Sequence, residues 1–462
     1  VLETLDVAAI LRRALARGGE FADIYYEDGS YTSVACEDGK VERVLAAVDR
    51  GIGIRVISEF STAYAYTNDL SEASLLQLAD TVSRGVRGKA FASDINLCQR
   101  IVGPEFRIEI HPDQIELAEK VSLVNRADRA ARGYDPRVRQ VMAAYRDSQV
   151  TTQVANSLGE FHEDRATSTL FMVQVVVQDG SVTQTGYEPL GAQHGYEIFD
   201  LASPEDLALK AAARGVLMLG ARQSPGGVMP VVLSSEAGGT MVHEAIGHGL
   251  EADLVQAGSS VYRGKIGEQV ASELITVRDD ATIPNARGSF SFDGEGTPAQ
   301  NTVLVEKGIL RGYLYDRLSA MKDACASTGN GRRESYRMRP IVRMTNTLIA
   351  PGESDPQRIV GSVASGLFVR RMGGGQVNTV NGDFVFEVTE GYLIENGEVG
   401  ETVRGATLTG NGPEVLKNIT MVGNDLGFGI GTCGKDGQGV PVADAQPTLL
   451  IAGITVGGKA KT

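Results

Sequence analysis

The chain has 462 residues, a formal net charge of −14, 56 glycines and four cysteines. That length exceeds one ordinary core and predicts two or three domains, while the acidic balance argues against a nucleic-acid binder, whose affinity comes mainly from Lys and Arg on phosphates. No run reaches the ~20 apolar residues of a membrane helix, and Cys36, Cys98, Cys325 and Cys433 lack paired spacing, which points to a reducing compartment rather than a disulfide framework.

In chain order, VLETLDVAAILRRALARGG places acids early and arginines late, the reverse of a secretory leader. It reads as an amphipathic helix whose charges suit its dipole, and a cytoplasmic protein is expected, with neither membrane nor nucleic acid as partner. Strand-like runs follow (ADIYYEDG, TSVACEDGKVERVLAA, GIGIRVIS, TAYAYTN), and the helix SEASLLQLADTVSRGVRG closes the unit. The same order then returns. The helix PDQIELAEKVSLVNRADRAARG precedes RQVMAAYRDSQVTTQVA, GEFHEDRATS, LFMVQVVVQDG and VTQTGYEPLG, and SPEDLALKAAARGVLML closes. Both closing helices begin with a serine and an acid, an N-cap pattern. Pro-Gly-Gly in ARQSPGGVMP breaks the chain before the apolar strand VMPVVLSS, after which short β-rich runs alternate with glycine clusters. The predicted fold is α+β. Duplicated helix–sheet–helix units occupy 1–103 and 104–222, and a β-rich, barrel- or sandwich-like domain carrying the metal-site helix occupies 223–462.

The stretch VHEAIGHGLEADL, Val242–Leu254, holds His243 and His248, five residues apart, with Glu244 beside the first. Zinc-peptidase helices normally space two histidines four apart. On a regular α-helix, residues five apart lie about 140° out of phase and cannot face one ion. Either both histidines are separately satisfied, or the helix is distorted. Gly247 and Gly249 flank the second histidine and favour distortion, specifically a π-type i to i+5 turn. Ser234 and Ser235 can cap a helix running through EAGGTMVHEAIGHGLEADL.

A catalytic zinc takes three protein ligands and keeps an open position. A lone cysteine is ordinarily a small buried hydrophobe. Cys433 instead sits in GNDLGFGIGTCGKDGQGVPV, whose polar, glycine-dense flanks favour a thiolate ligand reached by close backbone approach. Glu251 and Asp253 suit support behind the ligands.

On the segments HEAIGHGLEADL, GRRESYRMRPIVRMTNT, GGGQVNTVNGDFVFEV and GTCGKDGQGVPV, in that order, the chain resembles the TldD branch of the TldD/PmbA family of bacterial and archaeal metallopeptidases. The resemblance extends over nearly the whole length. It implies a Zn²⁺-dependent peptidase acting on unfolded or short peptides, with the family's H-E-x-x-x-H motif on His243, Glu244 and His248 and its cysteine ligand at Cys433. The PmbA branch lacks these residues and resembles a partner subunit, which implies a dimer, formed with a PmbA-like (TldE-type) subunit or with a second copy. The family's older label, modulator of DNA gyrase, finds no support in the charge balance.

The chemistry expected is attack by metal-activated water with Glu244 as general base. Peptide could bind by strand addition along GGGQVNTVNGDFVFEV, with Gly374, Gly375, Gln376 and Asn378 as candidate contacts, although the same pattern describes an ordinary hairpin. Arg332, Arg333, Arg337, Arg339 and Arg343 form a basic run that reads first as a solvated face or internal pairing, and otherwise as a substrate-terminus or partner contact. Two rival readings stand beside the peptidase. One is a non-catalytic scaffold whose structural zinc is closed by Glu251, and the other is an H-E-x-x-G-H peptidase of unrelated fold.

Overall fold

The computed structural model describes residues 1–88, 94–100 and 103–458. Helix α1 (Val7–Ala14) is capped by the Asp6 carboxylate, which accepts the Ala9 N–H at 2.8 Å, and buries Val7, Ile10, Leu11 and Ala14 along one stripe. The meander β1 (Phe21–Glu37), β2 (Lys40–Ser58) and β3 (Ser61–Thr67) follows, then α2 (Glu72–Arg84), capped by Ser71. The second pass has the same order: α3 (Leu117–Tyr134), β4 (Val138–Asn156), β5 (Glu160–Asp179), β6 (Val182–Ala192) and α4 (Pro204–Leu219). Ser203 and Asp206 form a reciprocal capping box on α4.

The two meanders do not make separate sheets. β1 pairs antiparallel with β4 from Asp23↔Asn156 to Glu37↔Met142, so a single seven-stranded sheet runs β3-β2-β1-β4-β5, with β6 and the short strand Cys98–Gln99 both on β5. The helices cover one face. α1 and α2 pack on Ile24, Tyr26 and Ile54, while α3 and α4 pack on Tyr145, Phe171 and Val173. Among the described residues, no helix is long and apolar enough to cross a membrane.

The remaining chain forms β7 (Gly227–Leu233), β8 (Val277–Asp280), β9 (Asn301–Glu306), β10 (Asn346–Ile349), β11 (Ser365–Val377), β12 (Asp383–Glu395), β13 (Thr407–Asn411), β14 (Gly427–Lys435), β15 (Gln438–Gln446) and β16 (Leu449–Gly457). Strands β11, β7, β16, β13 and β12 pair in that order, and β12 returns to β11, closing a five-stranded barrel. A second sheet runs β9-β8-β10-β15-β14. Barrel and sheet share one apolar core that also takes in Met241, Val242, Ala245 and Ile246 of the histidine segment. The α+β architecture with a barrel in its C-terminal region is therefore present.

The second face of the N-terminal sheet packs on this part of the chain through Tyr25, Val154, Phe292 and Tyr336. A buried ion cluster lies in the same seam. Arg55 on β2 faces Asp23 on β1 in register, pairs with it, and donates through Nη1 to Glu295 Oε1 at 2.6 Å. Glu295 also accepts the Arg317 N–H at 2.7 Å. These side chains are at most 1% exposed, so removing one partner leaves bare charge in a low dielectric. Arg55→Met is expected to cost about 3–5 kcal/mol of unfolding free energy. The midpoint shift in urea denaturation measures it, and a loss below about 1 kcal/mol, typical of an exposed pair, would show that the seam admits water.

Candidate metal centre

The histidine segment leaves the end of β7 and enters the C-terminal core at once. Ser234 Oγ accepts the Glu236 N–H at 3.2 Å, and Gly238, at φ 70°, turns the chain. The single helix expected through this region is instead four short pieces. Thr240–Val242 is α-helical, His243–Gly247 is a π turn, His248–Leu250 is 3₁₀, and Ala252–Gln256 is α-helical after an extended Glu251. The backbone N–H of His248 donates to the carbonyl of His243, the i+5 to i bond of a π turn. The wider turn absorbs the extra residue and brings the imidazole centroids to 4.9 Å at right angles.

The glycines leave room at the site rather than supply unusual backbone angles. Gly247 has φ −54° and ψ −58°, an ordinary helical conformation. Its importance is space, because a Cβ there would overlap Met344 Sδ. A Cβ on Gly249 would meet the Tyr262 ring at 2.7 Å. Tyr262 also donates its hydroxyl to the Ala245 carbonyl at 3.0 Å, satisfying a main-chain acceptor inside the distorted stretch.

Cys433 arrives from β14, opposite Val440 of β15. Its Sγ lies 3.5 Å from His248 Nε2, and one donor atom from each of His243, His248 and Cys433 fits within 4.8 Å of the others. Among the described residues these three form the one such group. Behind each imidazole stands a carboxylate. His243 Nδ1 is 2.7 Å from Asp444 Oδ1, and His248 Nδ1 is 3.0 Å from Glu251 Oε2. An Nδ1–H donated to a carboxylate fixes the ring's orientation and turns Nε2 toward the shared space, where a metal can take the place of its proton, the arrangement that metal-binding histidines use.

The charges behind this cluster are closed by buried cations. Lys435 Nζ donates to Glu251 Oε2 at 3.1 Å, to both Asp253 oxygens at 2.8 and 2.7 Å, and to the Val342 carbonyl at 3.0 Å. Arg343 is fully buried and donates to the Cys433 carbonyl and, at 3.2 Å, to the Gln438 carbonyl, pinning the β14–β15 hairpin. Arg332 donates to the carbonyls of Met344 at 2.6 Å and Pro441 at 2.8 Å. Arg332, Arg333 and Arg343 are all buried, and only part of the basic run meets solvent. Arg337 pairs at the surface with Asp49.

Protonation follows from these neighbours. Burial opposes ionisation of Cys433, yet hydrogen bonds and charge from His243 and His248 pull its thiol down to about 5. Burial likewise opposes the imidazoliums, but Glu251 and the thiolate lift His248 to about 9, and Asp444 holds His243 well above its ordinary value. Glu244 is pushed upward by burial, against the pull of the two imidazoles. The pocket thus holds one thiolate and positive charge drawn close around it. A cation replacing the two imidazolium protons would satisfy the same field, so the residues fit a soft divalent metal.

The cluster opens on a cleft of about 700 Å³ whose walls include Glu244, Gly374, Gly375, Gln376, Ile430 and Asp436. Three of the four residues expected at the substrate wall lie there. Asn378 does not line it. It is exposed, donates its N–H to the Asp383 carbonyl at 2.8 Å, and accepts the Val380 N–H on its side chain at 3.1 Å, shaping the turn between β11 and β12.

Family models match the chain in three consecutive parts. PmbA/TldA metallopeptidase domain 1 matches residues 22–86, the central domain matches 110–219, and the C-terminal domain matches 226–458. A Metalloprotease TldD homolog of Haemophilus influenzae is 39% identical over 455 residues, covering 96% of this chain and 94% of that protein. A metalloprotease of Methanothermobacter thermautotrophicus is 35% identical over 443 residues, covering 95% and 96%. In fold, the chain is similar to TldE from Thermococcus kodakarensis, with TM-score 0.77, 18% identity, and coverage of 98% of this chain and 100% of that one. A crystal structure from Thermotoga maritima described as a modulator of a DNA gyrase has TM-score 0.77, 23% identity, and coverage of 95% and 96%. The order of the three matched parts and the near-full-length identity make this chain a member of the PmbA/TldD metallopeptidase family, on its TldD branch.

Proposed function

We propose that the protein is a zinc-dependent peptidase acting on short or unfolded peptides, with His243, His248 and Cys433 as the metal ligands and Glu244 as general base. The observation that carries this reading is the pairing of each imidazole Nδ1 with a buried carboxylate while a depressed thiol faces the free nitrogens. When bound, zinc supplies a Lewis acid that polarises a scissile carbonyl and acidifies water. Asp444 and Glu251 orient the two rings and raise their basicity. Glu251 as a fourth ligand of a structural site is disfavoured, because its Oε2 serves His248 and Lys435 and it stands outside the group of donor atoms that lie within 4.8 Å of one another. That arrangement supports a three-ligand centre with its remaining side toward the cleft. Glu244 lines that cleft, beside the ligands, and its burial-raised pKa suits a group that takes a proton from water and returns it to a leaving amine.

Strand β11 offers the means of holding peptide. Its pairing with β7 ends at Val369, whereas its pairing with β12 runs on to Val377, so one edge from 370 to 377 carries unpaired main-chain groups. An extended substrate can add to this edge, and Gly373–Gly375 let its backbone approach closely. We also propose that the active form is a dimer, with a TldE-type subunit or a second copy. The outer half of β2 supports this: it pairs on one side only and exposes Val44, Leu45 and Val48.

His243→Ala, His248→Ala and Cys433→Ala are each expected to lose zinc and hydrolysis together, and Glu244→Gln to retain zinc while losing at least 100-fold in kcat, on the order of a general-base contribution. Metal analysis beside a peptide-cleavage assay separates the two classes. Wild-type rates in Glu244→Gln would remove it from the mechanism.

Gly247→Ala is expected to reduce zinc occupancy although alanine is the better helix former, because its methyl displaces Met344 from under the π turn. Unchanged metal content in that variant would show that the site tolerates the shift.

Zinc loading at pH 7 is expected to release about two protons, one from each imidazolium, since the thiol is already ionised. Affinity accordingly climbs as pH rises from about 5 to about 9, the window set by the Cys433 and His248 values. Calorimetry in two buffers of different ionisation enthalpy counts the protons. A count of zero would mean that the imidazoles are neutral before metal arrives.

A further inference from the structure

A second chamber of about 600 Å³ adjoins the metal cleft and shares Thr240, Gly373, Gly374 and Ile430 with it. Its far walls come from both parts of the protein: Thr185 and Tyr187 on β6, Met218 on α4, and Arg371 and Glu387 on the barrel. The open edge of β11 leads from one space into the other. Gly375 beside the metal centre and Arg371 are four residues apart along a bulged part of the strand, a span of at most roughly 13 Å.

The cations of this chamber are unequally matched. Arg214 is saturated, with Nη1 2.7 Å from Glu188 and Nε 2.8 Å from Glu390. Arg371 reaches Glu188 only at 3.5 Å, and its Nε is buried without a hydrogen-bond partner. Arg404 donates to the Leu219 carbonyl at 3.0 Å and has no ion pair among the described residues. Of the two acids on the chamber wall, Glu236 is paired with Arg370 at 3.2 Å and Glu387 stands exposed. A buried, unmatched guanidinium nitrogen is costly unless an anion completes it. Arg371 faces Glu390 in the β11–β12 ladder, Arg404 ends a short strand, Glu398–Arg404, that pairs with the other edge of β12 with Val403 opposite Gly391, and both arginines line the chamber.

We propose that this chamber is a recognition subsite for a carboxylate of the peptide substrate, held by Arg371 and Arg404 about four residues from the bond cut at the metal centre. The assignment rests on the peptidase reading and adds to it a preference for where the substrate carries negative charge. The carboxylate is either the free C-terminus of a short peptide or an acidic side chain within a longer one. Both present the same planar pair of oxygens to a guanidinium. The site would also give cleavage a register, since the anchored charge fixes which peptide bond reaches the metal.

The test uses the zinc-loaded full chain, with its partner subunit if one is required, and two pairs of peptides. In the first, a peptide ending about four residues beyond the cleaved bond carries either a free C-terminus or a C-terminal amide. In the second, a longer amidated peptide carries Asp or Asn at the same distance. At least one pair should show a 10- to 100-fold higher kcat/KM for the acid, the usual worth of a charge-assisted hydrogen bond, and the responding pair identifies the source. In Arg371→Gln and Arg404→Gln the acid-to-amide ratio should fall toward one, chiefly through KM, while Arg371→Lys recovers part of it. Fluorescence anisotropy of labelled peptides on the Glu244→Gln protein reads the same preference without turnover. Equal binding and cleavage of acid and amide in both pairs overturns the subsite and leaves the peptidase intact. A preference that survives both arginine variants overturns the assignment to Arg371 and Arg404. If none of the peptides is bound or cleaved, the peptidase reading fails and the subsite with it.

Discussion

Five residues separate His243 from His248, and a regular helix would turn their rings apart. The hydrogen bond from the His248 N–H to the His243 carbonyl resolves this, and much of the surrounding structure exists to permit it. Tyr262 takes the Ala245 carbonyl, Ser260 takes the Gly249 carbonyl at 2.5 Å, and Met344 fills the space that a side chain at 247 would occupy. A π turn is a poor free-standing element. It persists because Val242, Ala245 and Ile246 are anchored in the core on its inner side, which leaves the histidines directed outward to the β14–β15 hairpin.

The same hairpin supplies both Cys433 and Asp444, one on each strand, so a single rigid element delivers a donor and the carboxylate that orients another. Buried charge is tolerated here because it is compensated in sequence through space. Lys435 offsets Glu251 and Asp253, Glu251 orients His248, and Arg343 holds the Cys433 backbone. Replacing any one of these groups by a neutral isostere would leave its neighbour unpaired at low dielectric. The site is therefore specified by a network, with His243, His248 and Cys433 at the end that lines the cleft.

Much of this was legible in the sequence, and the gaps have physical causes. The late histidine with its two glycines implied the i to i+5 turn, because spacing on a helix is fixed by geometry. The repeated helix–meander–helix order was visible in the patterning, but the merger into one sheet was not, since nothing local marks the β1–β4 ladder as the join. Asp444 escaped notice inside PVADAQ. Its only signal was an acid placed in an otherwise apolar strand, and its role depends on a residue 201 positions away. The basic run reads as a solvated face or as internal ion pairing, yet Arg332 and Arg343 hydrogen-bond backbone carbonyls in the interior, a use that charge composition does not reveal. Gly374, Gly375 and Gln376 reach the cleft because β11 passes it, whereas Asn378 lies past the strand's end, where the chain must turn.

The N-terminal layer has a function in this architecture beyond support. β6 and α4 form the outer wall of the chamber beside the metal cleft, and β11 forms the inner wall, so the width of that space is set by how the two parts meet. Two buried ionic contacts fix that meeting. Arg55 ties Asp23 on the N-terminal sheet to Glu295, and Arg214 on α4 ties Glu188 on β6 to Glu390 on the barrel. Apolar contacts such as Tyr25 with Phe292 and Tyr336 could slide by a fraction of a residue at small cost, but a guanidinium held by two carboxylates has one geometry. Hydrophobic burial brings the layers together, and these arginines define their register. An open strand edge binds extended peptide with little regard to side chains. Any selectivity must then come from groups at fixed distances along that edge, and the ionic register is what keeps those distances constant.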